Sequence, residues 1–160
     1  MSAHLPLMSE EALQQTTCKI LEAYARPDIE WHHVPNGGKR DKRTANLMKL
    51  AGVRPGVADW MFLIDGLSFA LELKTEVGVQ SQDQIDFQER FERAGGKYFI
   101  AFGLDEALGV LAGLNVFRPG ISFTSQPLLT RPDGLGVRRG GQLRGLPNDY
   151  VPLPKAAQLK

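Results

Sequence analysis

Asp59, Glu72 and Lys74 stand in a largely apolar stretch that runs from Gly56 to Lys74. Asp59 lies at the start of one β-rich run, and Glu72 lies two residues before Lys74 at the end of the next. Carboxylate oxygens of this kind bind Mg²⁺ or Mn²⁺, and such an ion polarises a phosphoryl oxygen and lowers the pKa of a bound water. A structural ion-pair cluster at a strand edge explains the same three residues. The choice between these two interpretations depends on the rest of the chain.

The dipeptide Asp65-Gly66 between the two runs predicts a two-residue hairpin turn, and such a turn sets the register of the strands. In that register Asp59 lies opposite Glu72, and Lys74 points to the same face. Two opposed carboxylates repel each other, so one pKa rises unless a cation lies between them. The same register predicts three apolar pairs: Ile64 with Leu67, Phe62 with Phe69, and Trp60 with Leu71.

Periodicity and capping signals predict the elements that hold this hairpin in place. We expect helices over residues 9–25, 42–51, 81–94 and 105–112, and strands over 29–34, 58–64, 67–74 and 97–102. Ser81 and Gln84 fit the capping-box pattern at the start of the third helix. Because that helix joins two strands, we expect it to be a crossover between parallel neighbours. The pattern is typical of an α/β fold.

Asp59 and Glu72-Leu73-Lys74 resemble the PD-(D/E)XK nuclease signature, with Ala58 in place of its proline. Neighbouring strings are similar, in the same order, to the VRR-NUC (virus-type replication-repair nuclease) branch of that superfamily. The resemblance extends over roughly residues 9–114. Its strings are PNGGKR at 35–40, GVRPGVAD at 52–59, ELK at 72–74, and SQDQ at 81–84 followed by Phe87.

The resemblance implies a restriction-endonuclease-like α-β-β-β-α-β core, with a mixed central sheet flanked by helices. It implies a metal-dependent DNA endonuclease of DNA repair or recombination, similar to phage-type stand-alone members that act as homodimers on branched DNA such as four-way junctions. Two alternatives remain open. One is a nuclease for linear, single-stranded or sequence-specific DNA, and the other is a non-cleaving DNA-binding module on the same fold.

The resemblance also assigns roles to residues of the expected site. Asp59 and Glu72 would hold Mg²⁺ or Mn²⁺ together with the backbone carbonyl of Leu73, and Lys74 would orient the attacking water. Gln84 matches a motif residue near the active site. Many relatives complete the site with a glutamate of the first helix, and Glu10 is the better candidate here because it lies on the same stripe as the apolar residues of that helix.

A cluster of cations and small residues directly before Asp59 is a candidate DNA-binding surface. Asn-Gly-Gly permits a close approach of the backbone to a ligand, although an ordinary turn has the same composition. Lysine and arginine side chains supply the phosphate contacts of nucleic-acid-binding proteins. The predicted DNA-binding residues are Asn36, Gly37, Gly38, Lys39, Arg40, Lys42, Arg43 and Arg54.

Length and charge predict one nuclease-like domain over residues 1–114 and an extension over 115–160 that is rich in proline, glycine and arginine and partly disordered. The first segment has 12 basic and 16 acidic side chains, and the second has 7 and 2. The extension is either a solvated tail or a DNA-binding arm. The sequence shows no membrane-spanning run and no signal peptide, so we expect no membrane association and a location in the cytoplasm of a bacterial or virus-infected cell.

Overall fold

The computed structural model describes residues 8–36 and 41–123. The elements follow the predicted order of helix, strand, short helix, two strands, helix, strand and helix. Their bounds are α1 Glu10–Tyr24, β1 Glu30–His33, α2 Lys42–Leu50, β2 Trp60–Ile64, β3 Leu67–Lys74, α3 Gln82–Arg93, β4 Lys97–Phe102 and α4 Gly103–Gly113.

The four strands form one mixed sheet in the order β1-β2-β3-β4. Neighbours β1–β2 and β2–β3 are antiparallel, whereas β3 and β4 are parallel and are joined by α3 as a crossover. Asp65 and Gly66 both have positive φ, at 51° and 80°, as a tight hairpin turn requires. The turn sets the predicted register, in which Ile64 pairs with Leu67, Phe62 with Phe69, and Trp60 with Leu71.

The sheet is covered on both faces, so β3 is buried along most of its length. On one face, aromatic and aliphatic side chains of the strands form the main core with α1 and α4. On the other face, Ala58, Ala70 and Tyr98 pack with Phe87 and Phe91 of α3. Because strand residues alternate between faces, Glu72 and Lys74 point to the α3 side, as Ala70 does.

Residues directly after α4 also belong to the core. Val116 and Phe117 are buried, and Phe117 forms an isolated antiparallel bridge with Ala25. Packing therefore extends past Leu114, where the sequence suggested a domain boundary. Residues 124–160, the greater part of the expected extension, lie outside the described residues.

Helix α2 is exposed along its length. Asp41 caps the first turn of α2, and its side chain accepts a hydrogen bond from the Thr44 backbone amide at 3.0 Å. No residue of α2 is buried. Leu47 and Leu50 are exposed. No helix within residues 8–36 and 41–123 has the length and apolarity needed to cross a bilayer.

Candidate functional site

Asp59 lies immediately before β2 and is held at the end of β3. Its carbonyl accepts a hydrogen bond from the Val34 amide at 2.8 Å, which attaches it to the β1 side of the sheet. Its side-chain Oδ2 accepts a hydrogen bond from the Leu73 amide at 2.8 Å. The pairing between β2 and β3 ends at Trp60 and Leu71. Beyond that pair, the Leu73 amide of β3 is hydrogen-bonded by the Asp59 carboxylate instead of by a backbone carbonyl. Asp59 is therefore adjacent to the segment that contains Glu72.

Glu72, Lys74 and Gln84 form a closed triangle of polar contacts. Lys74 Nζ lies 2.9 Å from Glu72 Oε1 and donates to Gln84 Oε1 at 3.0 Å. Gln84 Nε2 donates in turn to the same Glu72 Oε1. With Asp59, these three residues make up the site cluster. The structure thus brings together the four residues that the sequence predicted as catalytic.

Gln84 has two functions in this arrangement. It is the third residue of α3, where it forms the predicted capping box with Ser81. The Ser81 backbone amide donates to Gln84 Oε1 at 2.9 Å, and the Gln84 backbone amide donates to Ser81 Oγ at 3.3 Å. The side chain that caps α3 is therefore also the one that contacts Glu72 and Lys74, so the helix start fixes its position in the site.

Burial controls the ionisation of the two carboxylates. Glu72 is only 2% exposed, and burial together with the nearby Asp59 carboxylate raises its pKa to about 7, although Lys74 opposes the shift. Burial also raises the pKa of Asp59, while hydrogen bonds from Leu73 and Gln14 offset part of that rise. The two acids thus share a region in which both charges are costly in the absence of a further cation.

One oxygen of Glu72 is available for a ligand. Within the described residues, buried Oε2 has no hydrogen-bond partner, whereas Oε1 contacts both Lys74 and Gln84. A buried carboxylate oxygen without a partner is costly. The arrangement fits a hard divalent cation, because Mg²⁺ is commonly bound by one or two carboxylates while water and substrate phosphate complete its coordination.

Helix α1 reaches the site through Gln14, which the sequence analysis missed. Trp60 Nε1 donates to Gln14 Oε1 at 2.6 Å, and the Gln14 side chain offsets part of the rise in the pKa of Asp59. Glu10, the predicted contribution of this helix, is exposed at its first residue. In the part of the chain that the structure describes, no three His, Cys, Asp or Glu residues are grouped as a metal site, so Glu10 is not brought to the two acids. Spacing gave one signal for Gln14, since it lies four residues, about one turn, after Glu10.

The predicted DNA-binding residues that the structure describes are exposed. Lys42 and Arg43 begin α2 and are exposed, as is Arg54. Asn36 is exposed, and its Nδ2 donates to the Val57 carbonyl, so it ties two loops together. The remaining predicted residues, Gly37, Gly38, Lys39 and Arg40, lie outside the described residues.

Close packing at Gly56 connects the loop of Arg54 to the site. Gly56 has φ 74°, and a Cβ placed on it would lie 2.0 Å from the Asp83 carbonyl oxygen and 2.6 Å from the Gln84 nitrogen. Only glycine permits this approach of two backbones. The loop that contains Arg54 therefore rests on the first turn of α3, next to the residue that caps the helix and contacts Glu72.

Comparison with solved structures finds a similar fold. A structure described as "VRR_NUC domain protein" superposes with a TM-score of 0.52 at 18% sequence identity, over 67% of this chain and 88% of that one. No protein-family model and no curated protein matches the sequence. The chain therefore shares the mixed α/β fold of that protein, a four-stranded mixed sheet flanked by helices.

Proposed function

We propose that this protein is a Mg²⁺- or Mn²⁺-dependent DNA endonuclease of the PD-(D/E)XK type, with the α-β-β-β-α-β core of that superfamily. The observation that carries the proposal is the site cluster itself. Two buried or half-buried acids with raised pKa values lie beside one lysine, and one of their oxygens has no partner among the described residues. The fold shared with a protein whose name denotes a VRR_NUC domain supports a nuclease rather than another hydrolase.

Asp59 and Glu72 would hold the metal ion, together with the Leu73 backbone carbonyl. When bound, the ion would polarise a phosphoryl oxygen and lower the pKa of a water molecule. Glu10, at the exposed start of α1, is not part of the proposed ligand set. Two sets of contacts support this role: the Leu73 amide of β3 holds the Asp59 carboxylate, and the triangle with Lys74 and Gln84 holds that of Glu72.

Lys74 supplies the positive charge of the site. Its side chain is 9% exposed and is held between Glu72 and Gln84, so the ammonium group has few alternative positions. It would orient the attacking water and attract the phosphate oxygens as negative charge develops on them. Gln84 keeps Lys74 in place through its carbonyl and keeps Glu72 in place through its amide.

The substrate that we propose is DNA, with branched DNA such as a four-way junction preferred. The exposed cations Lys42, Arg43 and Arg54 would contact its phosphates, and we propose a DNA-binding role also for Asn36, Gly37, Gly38, Lys39 and Arg40. We further propose a homodimer, since a two-fold pair of sites makes the two cuts that a symmetric junction needs. Light scattering would detect the dimer at working concentration, and a monomer there would contradict this part.

A purely structural ion cluster is the second candidate, and the contacts of Lys74 with Glu72 and Gln84 are what favours it. It leaves the raised pKa values of two neighbouring acids without a function. Burying two carboxylates with one cation costs free energy that apolar residues would not. It predicts that divalent ions change neither stability nor activity.

The experiment is cleavage of a labelled panel of four-way junction, flap, linear duplex and single-stranded DNA, with Mg²⁺, Mn²⁺ or EDTA. Lys74→Ala should reduce the cleavage rate by about 100-fold or more, because charge and proton placement in such sites contribute at least that factor. Lys19→Ala, which removes an exposed lysine from α1, is the matched control and should cleave normally. Cutting by Lys74→Ala at the wild-type rate would refute the assignment, and DNA binding without cutting by the wild type would indicate a binding module.

A further inference from the structure

Three aromatic rings of β1 and β2 form a chain of contacts, and His33 is its exposed member. The ring centroids of Trp31 and Trp60 are 5.8 Å apart, and those of Trp60 and His33 are 5.1 Å apart. Trp60 is 1% exposed, and its indole donates to Gln14 Oε1 at 2.6 Å, so its ring is held in one orientation. His33 therefore presents an exposed aromatic surface that packs on a fixed ring.

A hydrogen bond sets the orientation of the His33 ring. Its Nδ1 lies 2.9 Å from the backbone carbonyl oxygen of Asp59. Because a carbonyl oxygen only accepts, Nδ1 carries the proton and donates it. The ring is thus held at two places, by the bond to Asp59 and by the contact with Trp60. A side chain that is already held loses little conformational freedom when it binds a partner.

The partner that suits this ring is a nucleobase. Asp59 belongs to the site cluster, whose proposed substrate is DNA, so a nucleotide next to the scissile phosphate would lie within reach of His33. Every base has a flat π-face, and proteins that hold single-stranded DNA stack such faces on aromatic side chains. Histidine is among the rings that serve this purpose.

We propose that His33 is a stacking platform for an unpaired base beside the scissile phosphate. The inference rests on the proposed function, because it concerns DNA bound at the same site. It narrows the substrate to DNA with an unstacked base at the point of cleavage, which a flap, a branch point or a single strand offers. A base inside a continuous duplex is already stacked on both sides and cannot use the platform.

Two substitutions separate stacking from support of the Asp59 backbone. His33→Phe keeps an aromatic ring and loses the donor, whereas His33→Asn keeps an N–H donor close to the position of Nδ1 and loses the ring. His33→Phe should bind flap and single-stranded DNA as the parent protein does, and His33→Asn should bind them about 10-fold more weakly. Both variants should bind continuous duplex DNA with unchanged affinity.

The measurement is fluorescence anisotropy with labelled flap, single-stranded and continuous duplex DNA in Mg²⁺. Every protein, the parent included, carries Lys74→Ala, so that bound DNA is cut slowly at most. His32→Asn is the matched control, because His32 is the exposed neighbour of His33 in β1 and lies on the opposite face of the sheet. It should bind all three DNAs as the parent does.

A second measurement scans the DNA instead of the protein. Abasic sites are placed one at a time in the flap strand, within a few nucleotides of the branch point. One position should weaken binding to the parent by about 10-fold and should not weaken binding to His33→Asn any further. Thermal unfolding shows whether each variant folds, and the scan with the parent alone decides if His33→Asn does not.

Three results would overturn the proposal: equal binding of flap DNA by His33→Asn and the parent, weaker binding by His33→Phe alone, or a scan in which no abasic position matters. The second of these would assign His33 to support of the Asp59 backbone. Failure of the proposed function is a separate result. DNA that the wild type binds and never cuts would refute the nuclease, while the affinity order of the variants would still decide the platform.

Discussion

The β2–β3 hairpin carries two clusters that each contain one cation and two carboxylates, and their surroundings are opposite. Near the turn, Arg26 pairs with Asp28 at 2.7 Å and with Asp65 at 3.3 Å; these three residues form the turn cluster. There the cation is buried, at 4% exposure, while the acids are 49% and 33% exposed. In the site cluster the Glu72 carboxylate is as buried as the cation.

This difference in burial reverses the electrostatics. In the turn cluster, the hydrogen bond from Arg26 lowers the pKa of Asp28, so the acid is stably ionised. In the site cluster, burial and mutual repulsion raise the pKa values of Glu72 and Asp59. Equal numbers of charges thus give a satisfied ion pair at one end of the hairpin and a pair of carboxylates whose ionisation is disfavoured at the other. The first arrangement is structural, and the second is the one expected of a functional site.

The largest effect on stability should follow loss of the buried cation of the turn cluster. Arg26→Ala removes two ion pairs and the bond from Arg26 Nη1 to the Asn115 carbonyl at 3.2 Å. We expect the free energy of unfolding to fall by about 2–3 kcal/mol, since hydrogen bonds to charged groups each contribute on the order of 1.5–3 kcal/mol and the acids left behind are partly solvated. Urea unfolding measures this loss, and an unchanged free energy would contradict the structural role.

The same variant sharpens the contrast with the site. Arg26→Ala should keep its cleavage rate per folded molecule, because none of its partners belongs to the site cluster. A fall in cleavage rate as large as that expected for Lys74→Ala would mean that the two ends of the hairpin do not differ in function.

Stability of the metal-free protein should depend on pH through Glu72. Its pKa is about 7 in the folded chain and near 4.5 ordinarily, so between these values the folded state holds a proton that the unfolded state has lost. The contribution of this proton to the free energy of unfolding is fully present below about pH 4.5. It is lost as pH rises through 7, by up to about 3 kcal/mol. In EDTA, Glu72→Gln should abolish this part of the pH dependence of urea unfolding. Equal slopes in variant and wild type would contradict the raised pKa.

Gln84 separates the capping role from the site role. Ser81→Ala and Gln84→Ala each break the capping box and should each lower the free energy of unfolding by about 1 kcal/mol. Only Gln84→Ala also removes the contacts with Glu72 and Lys74, so it alone should slow cleavage, by about 10-fold or more. Equal cleavage rates in the two variants would assign Gln84 to the helix start only.

The smallest effect on stability is expected at Asp28. Its pH dependence is opposite to that of Glu72, because it stabilises the fold less as pH falls. Because Arg26 lowers the pKa of Asp28, its contribution is present above its ordinary pKa near 3.8 and is lost as pH falls through the folded value. Asp28 is half-exposed, so Asp28→Asn should cost only a few tenths of a kcal/mol, or about 1 at most, at pH 7, and less at pH 2. Unfolding at the two pH values measures the difference.

Much of the site cluster was predictable because it depends on local rules. Asp65-Gly66 specifies a tight turn, the turn specifies the register, and the register places Asp59 beside the end of β3. The capping pattern at Ser81 likewise fixes where Gln84 begins α3. These arguments need only neighbours in sequence, whereas the place of Gln84 beside Glu72 was implied by the resemblance to the nuclease family.

The contributions that the sequence did not reveal depend on how elements pack. Glu10 and Gln14 are one helical turn apart on α1, and periodicity cannot tell which of them lies beside Asp59, because that depends on the placement of α1 along the sheet. The burial of Arg26 and the packing of Val116 and Phe117 likewise depend on how distant parts of the chain pack together. Helix α2 was predicted from its pattern, whereas its exposure was not, since nothing local specifies what a helix contacts.

The contrast between the clusters is tested most directly by calorimetric titration with Mn²⁺ of the wild type, Asp59→Asn and Asp65→Asn. The two variants make the same change at opposite ends of β2. We predict a binding event in the wild type that persists in Asp65→Asn and is lost in Asp59→Asn. Absence of binding in the wild type, or undiminished binding in Asp59→Asn, would contradict the account.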